Sequence, residues 1–108
     1  MKNLIGNKWL NASDGKTIDV INPATGVLID TIPNSTLEDV DAAVIAAREG
    51  QKEWAKKPIH ERGKILMNFA KLVEEEKDSL AQLLCQETGK PITEAIAEIA
   101  NLQISVPA

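Results

Sequence analysis

The spacing of apolar residues changes along this chain, from every second position in the first third to every third or fourth position afterwards. Thr17 to Ile21 alternates polar and apolar residues, the period of a half-buried strand. The stretch from Val27 to Ile32 is rich in apolar and β-branched residues, which favours a second strand that ends at Pro33. Between them, residues 22–26 read Asn-Pro-Ala-Thr-Gly, where proline fixes φ and glycine supplies a positive φ. The pattern predicts an antiparallel hairpin.

A shorter hairpin is predicted before it. Leu4-Ile5 and the run 8–10 flank Gly6-Asn7, a pair suited to a tight turn between antiparallel strands. Residues 11–15 then read as a loop. The first 33 residues are therefore expected to hold strands and turns.

After Pro33 the apolar residues follow a helical period. Ser35 or Thr36 can cap a helix, with Glu38 or Asp39 placed to return the bond in a capping box. The helix is predicted from about Leu37 to Lys56, although Gly50 weakens its middle by about 1 kcal/mol relative to alanine. Its apolar face consists of Leu37, Val40, Val44, Ala47 and Trp54.

A second helix is predicted to start at Pro58. The acidic run 74–76 opposes the dipole of a helix C-terminus, which favours a break near Lys77, with Asp78 capping a short helix through Gln86. The apolar stripe of the second helix contains Ile65, Leu66, Phe69, Leu72 and Val73.

The run 86–91, Gln-Glu-Thr-Gly-Lys-Pro, predicts a junction between two helices. Gly89 can take the left-handed conformation that closes a helix, and Pro91 fits the first turn of the next one. That last helix carries Ile92, Ile96 and Ile99 and is expected to fray near Ser105. The predicted fold class is therefore mixed α/β, with strands over 1–33 and about four helices over 34–105, in a single segment 1–108.

Composition and charge exclude several classes of partner. The 108 residues suffice for one domain, and a net charge of −4 without a basic stripe argues against nucleic acid. No apolar run is long enough to span a membrane, and no signal peptide is visible in the first ten residues. The single cysteine rules out an internal disulfide and fits a reducing, cytoplasmic location.

The residues alone indicate no catalytic machinery. Cys85, the sole thiol, lies in a predicted helix next to Leu84, without a basic neighbour to activate it. His60 stands alone near a helix start, without other residues at ligand spacing. The six glycines form neither of the common phosphate-binding motifs. We therefore predict no catalytic residue and no cofactor-binding residue in this chain.

Three stretches together resemble the N-terminal segment of NAD(P)-dependent aldehyde dehydrogenases. The first is 20–26 (Val-Ile-Asn-Pro-Ala-Thr-Gly), the second runs from Leu37 through Trp54 and on over 58–66, and the third is 87–95. Each is weak by itself, but their order and spacing are specific up to about Asn101. The resemblance implies a fragment of the aldehyde dehydrogenase fold, packed around a cofactor-binding domain that would follow it.

The resemblance also implies an activity for a complete subunit. In that family a cysteine thiolate attacks the aldehyde, hydride passes from the thiohemiacetal to NAD or NADP, and water activated by a glutamate hydrolyses the thioester. Those residues come from sequence beyond position 108, so none is assigned here. We expect this chain alone to be inactive and to bind no cofactor; its sequence names neither the aldehyde nor the preferred cofactor.

One site of the family would touch this segment. Many members hold a structural monovalent cation with the carbonyl just before Asn-Pro and an acidic residue just before Gly-Lys-Pro, which correspond to Ile21 and Glu87. A hard cation prefers such oxygen ligands. The resemblance therefore implies Ile21 and Glu87 as ligands, with a third ligand downstream.

Two other interpretations remain open at this point. The chain could be a free-standing structural or interaction module, because its apolar stripes are difficult to bury within 108 residues and exposed apolar patches drive association. Its partner would then be the remainder of a subunit or another copy, giving a homo-oligomer. A small enzyme that uses Cys85 is the third interpretation.

Overall fold

A computed structural model describes residues 1–107 of the chain. Two antiparallel strand pairs are followed by four helices, which confirms the predicted mixed fold. None of the described helices is long and apolar enough to cross a membrane. The elements are β1 (Asn3–Ile5), β2 (Lys8–Leu10), β3 (Thr17–Ile21), β4 (Leu28–Pro33), α1 (Leu37–Lys56), α2 (Ile59–Glu75), α3 (Lys77–Thr88) and α4 (Ile92–Ser105).

The chain divides into two compact units. The first unit consists of Met1–Ile21 and Leu28–Lys57, so it contains both strand pairs and α1. The second consists of Asn22–Val27 and the residues from Pro58 onward, so it contains the turn between β3 and β4 together with α2, α3 and α4.

Both predicted hairpins are present in the strand pairing. Gly6 and Asn7 form the tight turn between β1 and β2 with positive φ values of 56° and 63°, and Leu4 lies opposite Trp9. In the second pair Thr17 lies opposite Pro33, and a bulge shifts the register between Val20 and Ile21. Within the first unit, α1 packs against β1.

The start of α1 is fixed by the predicted capping box. The Thr36 hydroxyl accepts from the Asp39 backbone N–H at 3.2 Å, and the Asp39 carboxylate accepts from the Thr36 N–H at 2.8 Å. Of the alternatives left open by the sequence, Thr36 and Asp39 form the pair. The helix then continues through Gly50 to Lys56, as predicted.

In the second unit, α2 and α3 are separated at Glu76. This residue has φ −98° and ψ 7°, and α3 begins directly afterwards at Lys77. The prediction that Asp78 caps α3 is wrong, because Asp78 lies inside the first turn and no side chain caps this helix. Instead, the Ser79 hydroxyl donates to the Glu76 carbonyl at 2.9 Å, which satisfies a group at the break.

The buried residues of the described chain are small. Helix α4 packs against α2 and α3, and Ala81 and Ala95 are completely buried there. No large side chain is fully buried among the described residues. Many large apolar residues stay exposed in both units, so much of the apolar surface lacks a cover. The buried set comprises Ala12, Ala70, Val73, Ala81 and Ala95.

Candidate functional site

Two of the three family-like stretches meet inside the second unit. A Cβ built on Gly89 would lie 2.9 Å from Pro23 Cγ and 3.9 Å from Pro23 Cβ. Because real Cβ atoms essentially never approach another heavy atom to less than 3.0 Å, the proline ring fits only against a residue without a side chain. The turn after β3 and the C-terminus of α3 are therefore in direct contact.

The turn is held rigid by its own hydrogen bonds. The Asn22 side chain accepts from the Ala24 N–H at 2.9 Å, and the Asn22 carbonyl accepts from the Gly26 N–H at 2.8 Å. The Asn22 N–H in turn donates to the Val27 carbonyl at 2.9 Å. Gly26 takes a positive φ of 73°, which a side chain would disfavour. This closed loop fixes the direction of the Pro23 ring.

The helix end that receives Pro23 is equally well defined. Gly89 has the predicted left-handed conformation, with φ 75°, and its N–H donates to the Cys85 carbonyl at 2.9 Å. The Thr88 hydroxyl donates to the Leu84 carbonyl at 2.6 Å. Lys90, which follows, forms an ion pair with Glu98 of α4. The junction thereby connects α3, α4 and the turn within one unit.

The two predicted cation ligands lie in different units. Ile21 is the last residue of β3 in the first unit, directly after the bulge. Glu87 lies in the last turn of α3 in the second unit, and its side chain is exposed. Within the described residues no group of three or more His, Cys, Asp or Glu side chains is placed to hold a metal ion. The cation site thus stays a prediction.

Cys85 and His60 belong to no group of described side chains that could hold a metal ion. Cys85 is a half-buried free thiol in the interior of α3, and His60 is exposed in the first turn of α2. Four glycines with positive φ lie at separate turns and do not line one phosphate-binding loop: Gly6, Gly15, Gly26 and Gly89. The prediction that this chain holds no catalytic and no cofactor-binding residue stays a prediction.

The first unit contains a polar network that sequence reasoning found only in part. The Ser13 N–H donates to both Asp39 carboxylate oxygens at 3.2 and 3.1 Å, and its hydroxyl lies 2.7 Å from the Thr36 hydroxyl. The N–H groups of Thr36 and then of Ser13 hold the pKa of Asp39 below its ordinary value. The network ties the loop after β2 to the start of α1. Its role is structural, since the backbone N–H groups of Ser13, Thr36 and Asp39 all donate to side chains of the same network.

Two comparisons with known sequences give the same family. The model of the aldehyde dehydrogenase family matches residues 9–105. The chain is 43% identical to malonate-semialdehyde dehydrogenase of Bacillus pumilus (strain SAFR-032) over 99 residues, which are 92% of this chain and 20% of that protein. It is 41% identical to the malonate-semialdehyde dehydrogenase of Lacticaseibacillus casei over 101 residues, again 20% of the relative.

Solved structures agree with the sequence matches. A 3,6-anhydro-L-galactose dehydrogenase in complex with NAP matches with a TM-score of 0.91 and 32% identity, over 94% of this chain and 21% of that one. A variant betaine aldehyde dehydrogenase from Staphylococcus aureus, in complex with NAD+, matches with a TM-score of 0.90 and 30% identity over the same shares. The chain thus spans about a fifth of the length of the proteins it matches.

Proposed function

Because the chain belongs to the aldehyde dehydrogenase family and spans about a fifth of its matched relatives, we propose that it serves as the N-terminal part of an NAD(P)-dependent aldehyde dehydrogenase subunit. In this proposal residues 1–108 act as one segment of that subunit. The segment supplies scaffold, and the chemistry is supplied by sequence that the relatives carry beyond the matched region.

The contact between Pro23 and Gly89 carries the proposal. Two of the three stretches that resemble the family are packed against each other, at a distance that tolerates no side chain at position 89. The same junction positions Glu87 on the last turn of α3 and Lys90 against Glu98. Such close packing between the turn after β3 and the end of α3 is expected where a segment must keep one conformation so that the rest of a larger fold can pack on it.

The exposed apolar residues support a partner that covers them. In the first unit Leu4 is 57% exposed, Trp9 65% and Leu37 84%; in the second unit Leu72 is 59% exposed. Exposed apolar area of this kind marks interaction surfaces. We propose that the remainder of a subunit packs on these residues, and that this partner also brings the nucleophile and the cofactor site.

We propose a semialdehyde as the substrate class of the complete enzyme, because the named sequence relatives are malonate-semialdehyde dehydrogenases. The 108-residue chain alone is proposed to bind neither NAD nor NADP and to oxidise no aldehyde. Cys85 is excluded as the nucleophile in this proposal because it lies half-buried within helix α3. We further place the protein in a reducing compartment such as the cytoplasm, on its single cysteine.

A chimera tests the proposal. The matched N-terminal segment of the Bacillus pumilus enzyme is replaced by this chain, and aldehyde-dependent NAD(P)H formation is followed by absorbance. We expect activity from the chimera, a strong loss in its Gly89→Val variant, and no loss in Gly63→Ala, where an added Cβ meets nothing within 4 Å. A folded chimera without activity would contradict the proposal.

The isolated chain provides the complementary test. It is expected to form no NAD(P)H with any aldehyde. Activity that is present in the 108-residue chain and abolished by Cys85→Ala would instead establish a small enzyme built on that thiol.

The second candidate function is a free-standing interaction module. The same exposed apolar residues favour it, since they would associate with another protein whether or not a catalytic part is attached. The chimera separates the two, because a module that has diverged from the family would no longer support catalysis.

A further inference from the structure

The strand pair of β3 and β4 has little cover within the first unit. Helix α1 packs against β1, whereas β3 and β4 make their main contacts with each other. In β3, Thr17, Ile18 and Asp19 are exposed and Val20 is half-buried. A two-stranded pair by itself is only marginally stable in water, and a third strand is one way to stabilise it. Such a strand has two edges to choose from, the outer edge of β3 and that of β4.

The pairing register shows which backbone groups of β3 point away from β4. Opposite residues of an antiparallel pair alternate between those that exchange hydrogen bonds and those that do not. The Asn34 N–H donates to the Lys16 carbonyl at 2.9 Å, so the next opposite residues, Thr17 and Pro33, are of the second kind. Two positions further along β3, Asp19 is again of the second kind. The N–H and C=O groups of Thr17 and Asp19 therefore point outward from the strand pair.

The outer edge of β4 is closed by the chain itself. Pro33 has no N–H to donate. The Thr31 carbonyl accepts from the Met1 ammonium group at 3.0 Å, and the Thr31 N–H donates to the Asp30 carboxylate at 2.7 Å. Proline and occupied backbone groups both keep an edge strand from pairing further. A third strand is therefore not expected beside β4.

The outer edge of β3 has no such protection. Among residues 1–107, nothing bonds to the outward N–H and C=O groups of Thr17 and Asp19. The Asp19 carboxylate also forms no ion pair within this part of the chain. A row of unpaired backbone groups on an exposed edge is a template for another strand.

Two observations indicate what kind of strand fits this edge. An incoming strand with Lys or Arg opposite Asp19 gains an opposite-charge pair, whereas a second copy that places its own Asp19 there brings two like charges together. The matched region is 20% of the Bacillus pumilus relative, so most of the sequence that such a subunit folds lies outside it. Both observations favour a different segment of the same subunit over a second copy of β3.

We propose that an extended segment from the remainder of the subunit binds along the outer edge of β3 as a third strand. Its backbone bonds to Thr17 and Asp19, and it places a basic side chain opposite Asp19. This inference rests on the proposed function and deepens it, because it names the edge and the kind of contact by which the remainder attaches to the first unit. Since backbone groups supply most of the contact, it depends chiefly on an N–H at position 19.

Hydrogen–deuterium exchange at residue resolution measures this pairing. In the 108-residue chain the N–H groups of Ile18 and Val20 point toward β4 and should be protected, whereas those at positions 17 and 19 should exchange rapidly. In the chimera with the Bacillus pumilus enzyme, exchange at Thr17 and Asp19 should slow by about tenfold or more. Protection of these two amides in the 108-residue chain itself, rising with protein concentration, would show a second copy on this edge and overturn the proposal.

The chimera also keeps the third strand apart from the proposed function. A chimera that oxidises aldehyde but leaves Thr17 and Asp19 in fast exchange overturns the third strand and leaves the function standing. A chimera without activity in which both amides become protected supports the strand and contradicts the function. Absence of both activity and protection contradicts both.

Asp19→Pro tests the edge by removing its N–H. Proline is tolerated on an edge strand where the N–H faces solvent, so the 108-residue chain should keep its thermal midpoint. In the chimera the same change should lower the thermal midpoint and restore fast exchange at Thr17. Asp19→Asn keeps the N–H and removes only the charge, so its effect in the chimera should be smaller.

Thr31→Pro is the matched control, because it removes an outward N–H from the closed edge of β4. Its effect should be the same in the 108-residue chain and in the chimera, since no strand is added on that side. If Asp19→Pro were likewise no more damaging in the chimera than in the 108-residue chain, the proposal would be overturned. Circular dichroism shows whether each variant is folded.

Discussion

Pro23 leaves no room for a side chain at Gly89. A Cβ at position 89 would stand 2.9 Å from Pro23 Cγ, and the backbone there has a positive φ of 75°. Glycine is therefore required twice, once for the conformation of its own backbone and once for the ring that packs on it. This pair joins the hairpin turn to the helix junction within the second unit.

Gly89→Ala is predicted to destabilise the second unit. The left-handed backbone costs a residue with a Cβ about 1–2 kcal/mol, and the clash with the proline ring adds to it. Urea unfolding followed by circular dichroism measures the loss.

The two causes can be separated with Pro23→Ala. That change removes Cγ and leaves a Cβ at 3.9 Å, an ordinary contact distance. In the Pro23→Ala background, Gly89→Ala should cost less than in the native chain, because only the backbone term remains. Equal costs in the two backgrounds would show that the ring does not constrain position 89.

Gly50→Ala is predicted to stabilise α1. The position is inside the helix, and an added Cβ meets nothing within 4 Å. Alanine should therefore gain about 0.5–1 kcal/mol by reducing the freedom of the unfolded chain. A higher urea midpoint is the expected result, and Gly63→Ala in α2, equally open, should show a similar gain. A lower midpoint in either variant would contradict this prediction.

Removing the cap of α1 is predicted to weaken the first unit. Thr36→Ala deletes the hydroxyl that accepts from the Asp39 N–H and contacts Ser13, and loss of such a cap costs about 1 kcal/mol. Amide hydrogen exchange should accelerate in the first turn of α1 and around Ser13. Thr36→Ser keeps the hydroxyl and should preserve most of the protection.

The same network predicts a dependence of stability on pH. Since the N–H groups of Thr36 and Ser13 lower the pKa of Asp39 in the folded chain, its contribution is complete above the ordinary carboxyl pKa of about 3.9. It is lost as the pH falls through the lowered folded value. Asp39→Asn should therefore flatten the acid limb of a stability–pH curve. Asp41→Asn is the matched control, because it removes the same charge from α1 without removing a hydrogen bond of this network.

Asn7→Gly is predicted to stabilise the first hairpin. Asn7 is the only described non-glycine residue with a positive φ, at 63°, and glycine adopts this conformation without steric cost. The thermal midpoint should rise slightly. Asn7→Val should lower it, because a β-branched residue is strongly disfavoured at positive φ.

The sequence predicted the elements well because their signals are local. The Thr36 and Asp39 cap, the Gly6-Asn7 turn and the Gly89 helix end each depend on residues within a few positions of one another. The predicted cap at Asp78 is wrong because the break between α2 and α3 is only one residue long, at Glu76. Helix α3 therefore begins at Lys77, and Asp78 lies inside its first turn. Local chemistry thus decided both the successes and this error.

The contacts between residues distant in the sequence could not be predicted from local patterns. Nothing in the run that contains Pro23 indicates that its ring will press on Gly89, and nothing near Ser13 indicates that its N–H will bond to Asp39. Both contacts depend on how elements distant in the chain are brought together. The candidate cation ligands were likewise taken from resemblance, because a shared site cannot be read from the spacing of Ile21 and Glu87.

The alanine-rich interior has a consequence for mutational scanning. Four of the five buried apolar residues of the described chain are alanines, so there is almost nothing there to shorten. An alanine scan would leave the two completely buried residues, Ala81 and Ala95, unchanged and would not report on them. Enlarging either residue, for example Ala95→Leu, would instead force the closely packed backbones apart. Larger side chains at the buried alanines should therefore destabilise the fold, whereas these positions have almost no side-chain volume to remove.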